Sequence, residues 1–325
     1  MNLRTCVAVF LVALTLPVLP AAIAQSQYPQ RPIKLVVPFG PGASTDNVAR
    51  LAAQSFSEQL GTQVLVDNKP GAASTLGISY VAKSPNDGYT LLFNTSSLVT
   101  NYVYSPKSTS YHPITDFSPV GLIAILPYVY VVSSVLPVSN VNEFIAYAKK
   151  HPGKIAYGSP GTGSATHLGM ELFLSATGIT ALHVPYKGSA PALLDTVAGR
   201  VQLFTGSVST LLPFLNDSRL KLLVLAAPKR FPGLKDVPTV DETVARNFWA
   251  GIWQGILAPA RTSPAIVTRL NGVTQRFLKD PNTIARLEVE GGLPLESTPE
   301  EYSDYIKKEI DTWSKVIRDA NIQPE

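Results

Sequence analysis

Cysteine is almost missing from this chain: Cys6 is the only one in 325 residues. It lies inside an apolar leader, so the chain without that leader can form no disulfide and offers no thiolate to a metal. Charge is also sparse, at 15% of residues, with Lys and Arg exceeding Asp and Glu by 27 − 23 = 4. Soluble domains typically carry about 25%. The basic residues are scattered, without the clustered stripe and interleaved aromatics of a nucleic-acid surface. What remains is a weak positive field suited to steering small anions. Past the leader no apolar run reaches the roughly 18 residues needed to span a bilayer. No G-x-S-x-G nucleophile elbow and no H-E-x-x-H zinc motif occurs.

The leader itself occupies residues 1–24. Arg4 supplies its positive end, residues 7–19 are apolar except for Thr15 and Pro17, and Ala22-Ile23-Ala24 forms an A-x-A cleavage site. Pro17 and Pro20 interrupt the run, which argues against an uncleaved anchor, and Cys6 is too early to carry a lipid. Export with cleavage after Ala24 is expected, leaving a freely soluble protein that begins at Gln25. Its roughly 300 residues exceed the usual size of one core, so two domains are the default.

From Lys34 onward short β-rich runs alternate with helical periods, the pattern of parallel α/β sheets. Strands are expected at 34–39, 63–68 and 89–94, with helices at 45–60 and 74–83. A long uncharged β-rich run at 120–133, containing Pro127, reads as a strand crossing between domains. After a helix at 141–151 the pattern repeats: strands at 154–159, 181–186, 201–206 and 220–227, with helices from Ser164 and at 190–198. Residues 248–259 form a second crossing strand. Ser263-Pro264 reads as a good N-cap with an N1 proline, and Thr298-Pro299-Glu300-Glu301 as a capping box opening the last helix. Domain 1 is expected to comprise residues 25–124 and 254–325, and domain 2 residues 125–253.

In each half a strand runs into a similar loop that opens a helix. The first reads GPGAST (40–45) and the second GTGSAT (161–166). Glycines let the backbone turn with its N–H groups exposed, and the helix dipole favours an anion there. In the first loop Ser44, Thr45 and the amides of residues 42–45 can donate, and Thr45 or Asp46 can cap the helix. A plain strand-to-helix turn is the bland alternative. A dinucleotide fingerprint would use Asp67 on the ribose, but Pro41, Thr45 at the third glycine position and export all oppose it. In the second loop Ser159, Thr162, Ser164 and Thr166 are denser in hydroxyls than a turn requires. His167 invites a metal or triad reading. The other histidines have no ligand spacing with it, so a locally bonded His in the first helical turn is favoured. Tyr186 ends a third strand, as core or as a lid over a ligand, and Trp249 and Trp253 share one face of the crossing strand.

Residues 28–50 (YPQRPIKLVVPFGPGASTDNVAR), 68–72 (NKPGA), 84–93 (SPNDGYTLLF), 151–173 (HPGKIAYGSPGTGSATHLGMELF), 183–195 (HVPYKGSAPALLD), 236–242 (DVPTVDE) and 257–271 (LAPARTSPAIVTRLN) resemble the Bug-type solute-binding receptors of tripartite tricarboxylate transporters. The resemblance covers essentially the whole exported chain. It implies a type II periplasmic binding protein, or Venus flytrap: two doubly wound α/β domains joined by crossing strands, with a carboxylate between them. The implied partners are that small carboxylate and the membrane permease subunits, with no catalysis, cofactor, metal or nucleic acid, in a periplasmic monomer. By match, ligand binding falls to Phe39, Gly40, Gly42, Ala43, Ser44, Thr45 and Asp46 in the first loop. Ser159, Thr162, Gly163, Ser164, Thr166 and His167 form the second, with Ser96, Tyr186, Gly206, Ser207 and Trp253 around them. Many family members carry an acidic residue where this chain reads FTGS (204–207), so the counter-charge for an amino-acid ammonium is missing. With Phe39, Tyr186 and Trp253 nearby, an aromatic or extended dicarboxylate such as terephthalate or phthalate is expected, and citrate or another aliphatic acid is the alternative.

Overall fold

A computed structural model describes residues 28–42, 44–227, 229–246, 248 and 250–323. The leader with its cleavage site, Ala43 and Trp249 lie outside the described residues. The first half of the chain builds β1 (Ile33–Val37), α1 (Ser44–Leu60), β2 (Val64–Asn68), α2 (Thr75–Ala82), β3 (Thr90–Thr95), α3 (Ser97–Tyr104) and the 17-residue β4 (Phe117–Ser133). The next stretch repeats the alternation with α4 (Val141–Lys150), β5 (Ala156–Ser159), α5 (Ala165–Thr177), β6 (Leu182–Pro185), α6 (Ser189–Val197), β7 (Leu203–Ser207), the short α7 (Val208–Leu211) and β8 (Leu220–Leu225). After α8 (Val240–Thr243), β9 (Gly251–Pro259) leads into α9 (Pro264–Lys279), α10 (Pro281–Val289), β10 (Leu293–Pro294) and α11 (Pro299–Asp319).

Two sets of five strands share one topology. The first lobe runs β2-β1-β3-β9-β4 and the second β6-β5-β7-β4-β8. Within each set one strand is antiparallel to the rest: β9 in the first lobe and the C-terminal half of β4 in the second. Each lobe therefore contains a strand that arrives from the other. β4 changes partners at one place. Through Pro127 it pairs with β9, and from Tyr128 it pairs with β7 on one side, joined by β8 from Val129 on the other. A proline lacks the N–H that a continuous ladder requires, so it fits at this switch.

Burial follows the patterning. Ile33, Leu35, Val48, Ala52, Phe56, Phe93, Ile256, Leu270 and Phe277 close the first lobe between α1, α9 and the sheet. Val129, Val131, Leu193, Phe204 and Leu225 close the second. A third cluster runs through both lobes under α2, α3, α5 and α11, joining Ile78, Leu98 and Tyr104 to Tyr128, Tyr157, Leu168 and Trp313. The capping box expected at Thr298 is present, with its side chain accepting from Glu301 N and Glu301 reaching back to Thr298 N. Ser263, expected as a good cap, makes no side-chain cap bond.

Candidate functional site

In open α/β sheets ligands bind beyond the carboxyl ends of strands where the strand order reverses. Both lobes reverse order at their first strand, so the switch points lie at the ends of β1 and β3 and of β5 and β7. Phe39 to Asp46 follow β1, Ser96 follows β3, Ser159 to His167 end and follow β5, and Gly206 and Ser207 end β7. Four strand ends thus carry nearly every expected residue. Tyr186 lies just beyond β6.

The first loop is held by its own carboxylate. Asp46, buried at 1% exposure, accepts from Gly42 N at 2.9 Å, Arg50 Nε at 2.9 Å and Asn68 Nδ2 at 2.8 Å. Asn68 also donates to Phe39 O at 3.0 Å. Burial opposes the charge, but the bonds from Arg50, Gly42 and Asn68 hold this carboxyl below its usual range. The side chain of Asp46 is therefore spent on loop shape. Ser44 differs: its hydroxyl is buried with no hydrogen-bond partner among the described residues.

The second loop is tied more tightly. Ser164 caps α5, accepting from His167 N and donating to Gly161 O at 2.7 Å. Ser159 Oγ takes Gly161 N at 3.2 Å and pairs with His183 Nε2 at 2.6 Å. His167 Nδ1 accepts from Gly163 N at 3.0 Å, so its own ring proton sits on Nε2. The side chains of Ser159, Ser164 and His167 thus brace the loop from within. Thr166 Oγ1, one position into α5, is buried and has no partner among the described residues, and the amides of Ala165 and Thr166 precede any intrahelical acceptor.

Behind this loop lies an aromatic stack. The His167 and His183 rings are 3.9 Å apart and 13° from parallel, and Tyr157 stacks on His183 at 4.9 Å. Burial, with His183 alongside, pushes His167 down to about 4, and burial lowers His183 too. Tyr157 donates to Glu171, whose carboxyl is raised by burial. Glu171 Oε1 is 4.0 Å from His167 Nε2. Both rings are consequently neutral at pH 7. Among the described residues no group of three or more His, Cys, Asp or Glu is arranged to hold a metal.

The two expected aromatics differ in their surroundings. Trp253 is fully buried, edge-on to Tyr302 and Tyr305, with its indole N–H on Glu309 at 3.0 Å. It belongs to the core under α11, not to a ligand surface. Tyr186 is half-buried and its hydroxyl donates to Asp195 at 2.8 Å. At the end of β7, Ser207 Oγ meets Ser209 Oγ at 2.9 Å and Thr210 Oγ1 at 3.0 Å, and Thr205 donates to Val129 O. This end presents hydroxyls and no carboxylate.

Sequence reasoning passed over one polar network. Asn94 Oδ1 accepts from Ser97 Oγ, which also takes Ser74 Oγ at 3.0 Å and Thr95 Oγ1 at 3.1 Å. Asn94 Nδ2 is buried without a partner among the described residues. Its signal was the run Asn94-Thr95-Ser96-Ser97 straight after the apolar Leu91-Leu92-Phe93. A groove of about 590 Å³ between α5 and α11 lies elsewhere, and its one lysine, Lys315, is paired with Asp319. It lacks the convergent donors of the strand ends.

Two pseudo-equivalent lobes, two connecting strands and paired cradles at the switch points define a type II periplasmic binding protein. The chain belongs to the tripartite tricarboxylate transporter family receptors, whose model matches residues 48–322. It is 33% identical to the protein BugT of Bordetella pertussis over 322 residues, 98% of each chain. Among solved structures it is similar to R. palustris Rpa4515 with adipate, at 36% identity and a TM-score of 0.74, over 92% of this chain and 100% of that one. It is also similar to MatC from Rhodopseudomonas palustris with bound malate, at 30% identity and a TM-score of 0.69, over 89% and 100%. Receptors of this family bind small carboxylates and work with transporter permeases.

Proposed function

We propose that this chain is exported after cleavage behind Ala24 and captures an extended dicarboxylate, without chemical change, for delivery to a membrane permease. The lobes, residues 25–124 with 254–325 and residues 125–253, close on it. The observation that carries this reading is the pair of buried hydroxyls, Ser44 Oγ and Thr166 Oγ1, without partners among the described residues, each at the N-terminus of a helix following the first strand of its lobe. A carboxylate oxygen at each would satisfy a hydroxyl and the adjacent helix amides together. Hydrogen bonds to a charged group contribute roughly 1.5–3 kcal/mol each, so no arginine is required.

The charge pattern supports a plain acid over an amino acid. Asp46 is neutralised by Arg50 and Asn68, and the β7 end offers only hydroxyls. No carboxylate at these described strand ends is free to meet an ammonium. Moving Trp253 into the core removes one stacking partner for an aromatic ring and leaves Phe39 and Tyr186. Adipate therefore ranks beside terephthalate, in keeping with the adipate-bound relative. Calorimetric titration with adipate, terephthalate, citrate and glutamate tests the reading. The two extended dicarboxylates should bind more tightly than citrate, and glutamate should bind weakly. Glutamate binding more tightly than both would overturn it.

A further inference from the structure

Gly163 in the second cradle lies against a residue of the other lobe. A Cβ added there would meet the ring of Tyr104 at 2.3 Å from Cε1 and Cζ and 2.5 Å from Cε2, so the backbone of the loop sits on the phenol itself. Gly163 has φ +74, and its N–H is the donor to His167 Nδ1. Tyr104 closes α3, which follows β3 on the far side of the β9–β4 pair from β5. The contact therefore bridges the two halves of the sheet at the strand ends that carry the proposed ligand site.

Tyr104 is held in place from behind. One turn earlier on the same helix face, Asn101 Nδ2 donates to Ala73 O at 2.5 Å and to Ser74 Oγ at 3.2 Å. Ala72, Ala73 and Ser74 form a run of three positive-φ residues, at 46°, 50° and 79°. Such backbone persists only where its surroundings over-determine it. The N-terminal end of α3 is bonded through Ser97 Oγ to Ser74 and Asn94. Tyr104 is thus presented by a fixed helix to a loop whose amides belong to the second cradle.

We propose that Tyr104 is a positioning residue for ligand capture: its ring is the seat on which the Gly163 backbone lands when the lobes close, which sets the second cradle at its working distance from the first. A glycine is required at 163 because any side chain would hold the lobes apart. This rests on the ligand reading above, and the test separates the two.

The test measures adipate affinity by calorimetry and the radius of gyration by small-angle X-ray scattering, with and without adipate. Variants are Gly163→Ala, Tyr104→Ala and the Gly163→Ala/Tyr104→Ala pair, each checked for native circular dichroism. Gly163→Ala should bind at least tenfold more weakly and fail to compact. Removing the ring in the pair should recover binding to the level of Tyr104→Ala alone. A pair no better than Gly163→Ala, or Gly163→Ala equal to wild type, overturns the proposal. If Gly163→Ala does not fold, Tyr104→Ala alone should weaken binding and enlarge the adipate-bound particle, and unchanged values overturn it. If the wild type binds no adipate, the ligand reading fails while scattering still decides. Ligand-free Gly163→Ala or Tyr104→Ala more extended than wild type supports the seat, and identical scattering overturns it.

Discussion

His167 shows how one residue can look like chemistry and serve architecture. It lies beside Ser164 and four residues before Glu171, as a triad or a ligand set might. Its Nδ1 is used up by Gly163 N, and its ring is covered by His183 at 3.9 Å. Protonation would put a second proton against the Gly163 N–H and a cation on the stacked ring. The folded state therefore holds His167 neutral to about pH 4, while the unfolded chain takes up a proton near 6.5. The unfolded state binds more protons as pH falls, so stability is full above 6.5 and is lost between 6.5 and about 4. The loss is up to about 3 kcal/mol. Urea unfolding at pH 7.0, 5.5 and 4.5 should register it, and His167→Asn, which keeps an acceptor without the titration, should flatten the dependence. Stability that holds or rises from pH 6.5 to 4.5 in the wild type would contradict this account of the stack.

At the scale of the element, the crossing strand β9 is the sharpest case. A Cβ on Gly251 would lie 2.5 Å from Leu126 O and 3.0 Å from Pro127 Cα, where β4 changes partners. Neither neighbour is a flexible side chain, so Gly251→Ala should destabilise by about 1–3 kcal/mol, the usual cost of overpacking. Chemical denaturation would measure it, and a variant as stable as wild type would mean that the strand pair is looser than described. Most elements were legible because period and end signals agreed. The 45–60 helix is found as Ser44–Leu60, and the long uncharged run at 120–133 is found within Phe117–Ser133. Helix α3 escaped because SLVTNYVY is rich in β-branched and aromatic residues, which favour strands in isolation. Packing under α11 and bonds from Asn101 decide it instead. The cradles were legible as loops. The division of labour within them, braces against free donors, depends on which partners folding brings within reach, and spacing does not encode that.

For the whole molecule, the repeated topology explains why two similar loops stand about 120 residues apart in the chain and meet one ligand in the proposed function. In that proposal each lobe contributes the cradle after its first strand; in the fold each lobe receives a strand from the other. A ligand that touches both cradles favours closure by its differential affinity for the closed form. The central claim is that Ser44 and Thr166 hold the two ends of one acid. Calorimetric titration of adipate into wild type and into the Ser44→Ala/Thr166→Val double variant tests it most directly. At roughly 1.5 kcal/mol or more per lost bond, the double variant should bind about a hundredfold more weakly or worse, with its fold intact. Equal affinity in the two proteins would contradict the account.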